Sequence, residues 1–433
     1  MRNYDETINY ITSIKKFGVS PGLENMERLM KLLGSPHKKL RFVHVAGTNG
    51  KGSTCAMLAS VLKTAGYKTG LFVSPFVEDF RERIQINGEM IAKDELCKIV
   101  DEIEPIMRRM SDDGHAPTQF EVVTAIAMRY FADQGCDFVV LEVGLGGRFD
   151  ATNIIDPPEI AIITSISFDH QAYLGDTIEK IAFEKCGIIK KGSDVCVYPK
   201  NTEEAMRVIR KTCDNKGIEP FIADIKDLEI KSCDISGSKT KYKGYDLYIS
   251  LPGKHQIWNA ITVVEAVEAL RKRRIKIPDS AIENGINATG FGGRFEIVSK
   301  DPLMIIDGAH NIDGIETLCR ALDDLCSGKR IVTVMGMMRD KDYERCIEKV
   351  AKKSGVLIAT MPDSPRALPA EEMKKIAERY CKDVRKDDDP KSAAALAASL
   401  ARRGDVIVAC GSLYMIGDAK RAFKSATGYL RGE

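Results

Sequence analysis

Short apolar runs alternate along the chain with longer stretches in which apolar residues recur at helical spacing. This alternation is typical of strand–helix–strand units, in which helices cover both faces of a largely parallel sheet. The runs are flanked by turn residues or lead directly into helical stretches, as buried parallel strands do. The pattern therefore predicts an α/β fold with central strands at 41–46, 69–73, 137–143, 160–166 and 195–198.

The pattern changes between residues 228 and 250, where segments rich in Lys and Tyr alternate polar and apolar positions. Alternation of this kind is typical of antiparallel hairpins with one solvated face, so we predict a small antiparallel sheet appended to the parallel one. A helical stretch at 255–270 follows and ends in a basic cluster at 271–274. We interpret that cluster as a solvated helix end.

A glycine-rich segment, Gly290-Phe291-Gly292-Gly293-Arg294, precedes a second series of strand-like runs at 303–306, 330–335, 356–359 and 405–409. Domain boundaries commonly fall in such segments. We predict a larger parallel-sheet domain at 1–297 and a smaller, Rossmann-like α/β domain at 298–433. A length of 433 residues at roughly 150 residues per domain predicts two or three domains, of which we take two.

The charge balance excludes several classes of function. The chain has 64 Lys and Arg against 62 Asp and Glu, a formal net charge of +2. No global field therefore attracts nucleic acid or an anionic membrane, and any anionic ligand must be met by a local site. We expect small-molecule partners, no nucleic acid, no membrane and a monomeric chain.

The cysteines and the N-terminus indicate the cellular compartment. The 12 cysteines are spread singly, without a Cys-x-x-Cys pair or matching His spacing, which favours buried thiols in a reducing cytosol over disulfides or zinc. The polar N-terminus does not resemble a signal peptide, and no apolar run approaches the roughly 20 residues of a membrane span. We therefore expect a cytoplasmic protein.

The most specific local signal lies at residues 47–54, between a predicted strand and a predicted helix. Glycines let backbone N–H groups face phosphate oxygens, the helix N-terminus adds its dipole, a lysine adds charge, and a hydroxyl can reach Mg²⁺. The spacing departs from Gly-x-x-x-x-Gly-Lys-Ser/Thr because Val45 replaces the first glycine and Gly52 separates Lys51 from Ser53. We interpret it as a variant P-loop rather than a flexible turn, with candidate nucleotide-binding residues Gly47, Thr48, Asn49, Gly50, Lys51, Gly52, Ser53 and Thr54.

A carboxylate ends the predicted strand 137–143. Glu142 follows the apolar run 138–141 and precedes Gly144-Leu145-Gly146-Gly147-Arg148. A carboxylate in so apolar a strand is costly to bury without a cation. We interpret Glu142 as a ligand of a Mg²⁺ that accompanies the nucleotide, with an ion pair to Arg148 as the structural alternative.

Local pattern alone leaves two further residues ambiguous. His170 follows the strand 160–166, where either a structural histidine or a metal ligand is possible. Lys185 is typical of a cation at a helix C-terminus capped by Gly187. Neither residue is assigned a role by its neighbours in the sequence.

Further motifs occur in order along the chain: Ser74-Pro75, Arg81-Glu82-Arg83-Ile84, Thr118-x-Phe120-Glu121, Asp150-Ala151-Thr152-Asn153, Asp169-His170, Glu184-Lys185, Asp307-Gly308-Ala309-His310-Asn311 and Gly411-Ser412-Leu413-Tyr414. Together with the 47–54 loop and the Glu142 segment, they resemble the folylpolyglutamate synthase/dihydrofolate synthase family of the Mur ligase superfamily. The resemblance covers nearly the whole chain. It implies ATP-dependent ligation of L-glutamate to a folate-type carboxylate through an acyl phosphate.

The resemblance also implies metal ligands. Ser53, Ser74 and Glu142 match ligands of the Mg²⁺ that accompanies ATP, and His170 matches a ligand of a second Mg²⁺. Lys185 matches a lysine that the family carries as a carbamate. An ammonium repels a dication, whereas a carbamate is an anionic oxygen donor, so the modification makes chemical sense.

The remaining assignments concern nucleotide and substrates. Positions at the nucleotide are matched by Asn259, Arg294 and Asp307; positions around the pterin by Thr118, Phe120, Asp150 and Ala151; and positions at the incoming glutamate by His310 and Ser412. The residues assigned to catalysis are Lys51, Lys185, Arg294 and His310.

Two positions depart from the family pattern, and several alternatives stay open. Phe76 stands where the family commonly has His, and Phe291-Gly292 where it commonly has Trp-Pro. A peptidoglycan-type Mur ligase should carry a uridine-nucleotide domain before the loop, for which about 46 residues are too few. A non-ligase P-loop ATPase would need the loop alone. The pterin positions favour dihydropteroate as one substrate, without deciding between glutamate addition to dihydropteroate, extension of a polyglutamate tail, or both.

Overall fold

The computed structural model describes residues 2–15 and 22–431, and within them the strands form three sheets. The first sheet has eight strands in the order β4-β3-β2-β5-β1-β6-β7-β8. The strands are β1 Phe42–Ala46, β2 Thr69–Phe72, β3 Ile84–Ile86, β4 Glu89–Met90, β5 Phe138–Glu142, β6 Ile160–Ile163, β7 Asp194–Val197 and β8 Phe221–Ile222. All neighbours pair in parallel except β2–β3 and β3–β4. The five predicted central strands are confirmed.

Helices cover both faces of this sheet, as predicted. They are α1 Tyr4–Ser13, α2 Glu24–Leu32, α3 Lys51–Thr64, α4 Lys93–Asp112, α5 Gln119–Asp133, α6 Gln171–Leu174, α7 Ile178–Lys185, α8 Glu203–Asp214, α9 Lys254–Lys272 and α10 Asp279–Asn287. On β1, Val43 and Val45 pack toward α3, α9 and α10, while Phe42 packs toward α1, α2, α4 and α5. Side chains that alternate along a strand thus enter two separate cores.

The predicted antiparallel appendage is confirmed as the second sheet, with strands β9 Leu228–Asp234, β10 Gly237–Tyr242 and β11 Tyr245–Ile249. Its buried residues, Tyr242 and Leu247 among them, join the core around α9. The basic cluster at 271–274 is not simply a solvated helix end, which corrects our interpretation. Arg273 pairs with Asp194 at 2.7 Å and with Glu159 at 3.0 Å, and so ties α9 to the first sheet.

The third sheet has six strands in the order β12-β13-β17-β14-β15-β16, with only β12 antiparallel to its neighbour. The strands are β12 Glu296–Lys300, β13 Leu303–Ile306, β14 Ile331–Met335, β15 Val356–Ala359, β16 Val384–Lys386 and β17 Val406–Cys410. Its helices are α11 Ile312–Leu325, α12 Tyr343–Ala351, α13 Ala370–Ala377, α14 Pro390–Leu400 and α15 Leu413–Arg431. The four predicted strands are confirmed, and the α/β fold class with them.

Two edge strands of the third sheet, β12 and β16, were not predicted because both are partly exposed and contain charged residues instead of a continuous apolar run. The division at 297/298 stays a prediction, and β12 begins at Glu296. The 12 cysteines are free thiols; 11 of them are buried, as predicted, and Cys233 is partly exposed. Among the described helices, none combines the length and the apolar character needed to cross a membrane.

Candidate active site

A cleft of about 550 Å³ opens at the carboxyl ends of β1, β5 and β6. The loop after β13 and helix α11 form its opposite wall, and the N-terminal turn of α9 lines it as well. Ligands of open α/β sheets characteristically bind where strand order reverses, outside the carboxyl ends of the strands. Because β1 lies between β5 and β6, the 47–54 loop stands at such a point.

The 47–54 loop joins β1 directly to α3, as predicted. Gly50 precedes the helix with φ of +82°, and a Cβ there would lie 2.7 Å from Asn259 Oδ1, so this position requires glycine. The Thr48 hydroxyl donates to the Ser167 carbonyl at 3.0 Å, and Lys51 Nζ donates to the Thr48 carbonyl at 3.2 Å. Residues 47–53 line the cleft. Thr54 is fully buried and its hydroxyl has no hydrogen-bond partner.

Glu142 ends β5 and faces the cleft with only 3% of its surface exposed. Burial raises the pKa of its carboxyl, and the charge of Lys51 opposes that rise. Glu142 Oε2 accepts from the Ser74 backbone N–H at 2.9 Å. The alternative of an ion pair with Arg148 is wrong. Arg148 Nε lies 3.7 Å from Glu184 Oε1, and Arg148 Cζ lies 4.0 Å from the centre of the Phe183 ring.

The residues predicted for the first Mg²⁺ offer a donor set that fits it. Ser53 Oγ, which accepts from Gln256 Nε2 at 3.3 Å, Ser74 and Glu142 all line the cleft. They offer oxygen atoms, which Mg²⁺ prefers, and Glu142 brings a buried carboxylate without an ion pair among the described residues. The residues that the structure describes contain no group of three or more His, Cys, Asp or Glu able to hold a metal. An ion here would therefore combine the single carboxylate of Glu142 with hydroxyls and with the phosphates of a nucleotide.

Lys185 ends α7 and lines the cleft with 4% of its surface exposed. Its Nζ donates to the Gly47 carbonyl at 2.8 Å. Burial, followed by the charge of Lys51, lowers the pKa of Lys185 to about 7, so that much of the amine is neutral at physiological pH. The predicted cap is wrong: the chain continues into a 3₁₀ turn at Cys186–Ile188, and Gly187 is not left-handed.

His170 stands at the N-terminus of α6 with a left-handed φ of 49°. Burial lowers its pKa to about 4, which keeps the ring neutral and able to donate a lone pair to a metal. Its Nε2 lies 3.1 Å from Lys341 Nζ. A second Mg²⁺ at His170 therefore fits only if the Lys341 ammonium moves away from that nitrogen.

The loop after β13 supplies the opposite wall of the cleft. Asp307 is buried and accepts from the backbone N–H groups of Phe295 and Ala309, each at 2.7 Å. Burial raises the pKa of Asp307, and the charge of Arg294 opposes the rise. His310 Nδ1 donates to the Gly308 carbonyl at 2.7 Å, an acceptor that fixes the ring tautomer. Arg294 lines the cleft and makes no ion pair with the described residues.

Asn259 lies on α9 and donates to Gln256 Oε1 at 2.9 Å. Several residues that line the same cleft were not predicted: Tyr198, Lys200, His255, Gln256, Trp258 and Arg320. Lys200 Nζ lies 4.7 Å from the centre of the Trp258 ring. The sequence offered one signal for His255 and Gln256, which is their place in the segment 252–256 just before Asn259. The other four residues belong to no sequence motif.

The residues predicted at the pterin and Ser412 lie outside the lining of this cleft. Thr118 caps α5 through Glu121, and the Phe120 ring packs against Phe72 at 6.0 Å. Asp150 is buried and accepts from the Leu145 N–H at 2.8 Å. Ala151 is buried beside it, and the buried Ser412 accepts from the Tyr414 N–H at 3.2 Å. Their substrate roles stay predictions.

Comparisons with known proteins identify the family. Residues 45–267 match the Mur ligase middle domain, and residues 293–413 match the Mur ligase glutamate ligase domain. The chain is 36% identical to Dihydrofolate synthase/folylpolyglutamate synthase of Bacillus subtilis, over 97% of this chain and 99% of that protein.

Two solved structures are similar over nearly their full length. The folylpolyglutamate synthase of Mycobacterium tuberculosis complexed with ADP and AMPPCP has 30% identity and a TM-score of 0.88, covering 97% of this chain and 98% of that chain. E. coli FolC in complex with DHPP and ADP has 28% identity and a TM-score of 0.85, covering 98% and 99%. The chain therefore belongs to the folylpolyglutamate synthase/dihydrofolate synthase family of ATP-dependent Mur ligases.

Proposed function

We propose that this chain joins L-glutamate to a folate-type carboxylate at the expense of ATP, both on dihydropteroate and on tetrahydrofolate polyglutamates. The observation that carries the proposal is the cleft itself, which brings the 47–54 loop and Glu142 opposite Arg294, Asp307 and His310. Relatives named for both activities, such as the Bacillus subtilis protein, support a bifunctional enzyme.

ATP is proposed to place its phosphates on the 47–54 loop. Backbone N–H groups and the N-terminus of α3 face that position, and Asn259 and Asp307 complete the nucleotide site from the two sides of the cleft. Ser53, Ser74 and Glu142 would hold one Mg²⁺, and His170 with carbamylated Lys185 a second. Such an ion neutralises charge on phosphate oxygens when it is bound.

In the first step, an oxygen of the substrate carboxylate attacks the γ-phosphorus of ATP, giving an acyl phosphate and ADP. Lys51 and Arg294 stabilise the charge on the transferring phosphoryl group from opposite walls of the cleft. In the second step, the glutamate amine attacks the acyl carbon and phosphate leaves through a tetrahedral intermediate. His310 holds its proton on Nδ1, so its Nε2 can accept the proton that the amine loses.

The test is ADP release measured with each partner omitted in turn. We expect turnover only when glutamate and a folate-type acceptor, dihydropteroate or tetrahydrofolate, are both present. ATP hydrolysis that requires neither glutamate nor a folate-type acceptor would instead favour the non-ligase ATPase. A side-by-side assay of the two acceptors decides whether the enzyme is bifunctional. The monomeric state and the cytoplasmic location stay predictions.

Replacing Glu142 tests the metal assignment. We expect Glu142→Gln to raise the Mg²⁺ concentration needed for half-maximal activity by about 10- to 100-fold, because the neutral amide keeps the shape and loses the charge that a dication needs. A Mg²⁺ titration of ADP release measures it. The matched control is Glu184→Gln, whose carboxylate pairs with Arg148 outside the cleft. Identical titrations for wild type and Glu142→Gln would contradict the assignment.

A further inference from the structure

Asp169 lies against three residues of the third-sheet region at once. It lies after β6, and its side chain is only 8% exposed. Asn311 Nδ2 donates to Asp169 Oδ2 at 3.0 Å, Lys341 Nζ donates to Oδ1 at 2.5 Å, and His310 Nε2 lies 3.6 Å from Oδ2. A buried carboxylate that accepts from an amide and an ammonium in this way holds both in fixed positions.

The three residues near Asp169 come from different parts of the third-sheet region. His310 and Asn311 belong to the loop between β13 and α11, and Lys341 to the loop between β14 and α12. The side chain of Lys341 is itself only 8% exposed, so its ammonium has exchanged water for this carboxylate. One side chain of the first-sheet region therefore orients two loops of the third.

The same contact extends to the 47–54 loop. Asn311 Nδ2 also donates to Asn49 Oδ1 at 3.1 Å, and Asn49 Nδ2 donates to Asp313 Oδ2 at 2.7 Å. Asn311 caps α11 by accepting from the Gly314 N–H at 2.8 Å. Its amide thus joins the helix start, the phosphate loop and Asp169 in one network.

We infer that Asp169 is a positioning residue: acting through Asn311 and Lys341, it sets where the glutamate side of the cleft, including His310 next to Asn311, stands relative to the 47–54 loop. The inference rests on the proposed function, because the two steps require the amine and the acyl phosphate to meet at one point. Small misplacement of reacting groups is costly, since about 1 Å can reduce the rate about 100-fold.

The experiment compares Asp169→Asn with wild type in the ADP-release assay, varying glutamate and ATP separately. We expect kcat/KM for glutamate to fall about 100-fold, while KM for ATP stays within about twofold because the 47–54 loop itself is unaltered. Asp169→Glu, which keeps the charge, should recover part of the loss. In the double variant Asp169→Asn/Lys341→Met, the fold-loss of kcat/KM for glutamate should be smaller than the product of the fold-losses of the two single variants, since both substitutions disrupt one contact.

The matched control is Lys420→Met, which removes a contact of similar kind away from the cleft. Lys420 on α15 pairs with Glu78 at 2.6 Å and with Glu296 at 2.9 Å. If the loss of any contact between the first-sheet and third-sheet regions had the same effect, Lys420→Met would behave like Asp169→Asn. Equal effects of the two variants, or an Asp169→Asn enzyme whose KM values for glutamate and ATP rise together, would overturn the inference. A wild-type enzyme without glutamate-dependent turnover would overturn the proposed function and this inference together.

Discussion

Replacing Lys51 by alanine is expected to lower turnover on the order of a thousandfold, as the loss of a preorganised charge at a developing anion does elsewhere. Lys51 begins α3 at the floor of the cleft and contacts the Thr48 carbonyl, so its ammonium already faces the proposed phosphate site. No other lysine of the 47–54 loop can replace it. Steady-state ADP release at saturating ATP, glutamate and acceptor measures the effect.

The control for this variant lies on the same helix. Lys63 is exposed near the end of α3, and Lys63→Ala should leave turnover within about twofold because surface substitutions of this kind rarely matter. Thermal melting of both variants distinguishes lost chemistry from lost folding. Near-normal ligase activity in Lys51→Ala would rule out the phosphate-binding assignment.

Lys185→Gln is expected to lower turnover about 100-fold, the scale on which changes around a metal ligand act. The proposed carbamate forms when the neutral amine attacks CO₂ and releases one proton, giving an anionic oxygen donor. Because the pKa of Lys185 is about 7 instead of 10.5, the neutral amine is abundant at physiological pH. Glutamine keeps the burial and removes the nucleophile.

The pH dependence of the carbamate follows from this pKa. At fixed dissolved CO₂, carbamate should increase as pH rises through about 7, and it should be lost below that value as the amine takes up a proton. Carbon-13 NMR with labelled bicarbonate detects the carbamate directly, and removing CO₂ should lower wild-type activity reversibly. Lys180→Gln, on the same helix but exposed, is the matched control. A wild-type spectrum without a carbamate signal at pH 8 would refute the modification.

Much of the fold was predictable because its signals are local. A buried parallel strand needs apolar residues along its whole length, so β1, β5 and β17 were visible as runs in the sequence. Glu142 stood out for the same reason, as a carboxylate at the end of such a run. The edge strands β12 and β16 bury less and left no such signal.

Partners distant in the sequence were not predictable in the same way. Arg148 was considered as a partner for Glu142, six residues away, and instead contacts Glu184 and Phe183 on α7. Arg273 was interpreted as solvated, yet it pairs with Asp194 at the start of β7. In both cases the packing of helices on the sheet decides which residue becomes the partner. The pattern of residues along the chain does not show that packing.

The sequence by itself determined the α/β class, the glycine-rich loop after β1 and the family, because each depends on residue types at fixed short spacings. Only the tertiary structure decided the surroundings of those residues. It placed Lys185 where burial lowers its pKa to about 7, and it joined Asp169 to Lys341, 172 positions along the chain. Burial and charge contacts of this kind arise when distant strands and loops meet, and no local spacing specifies them.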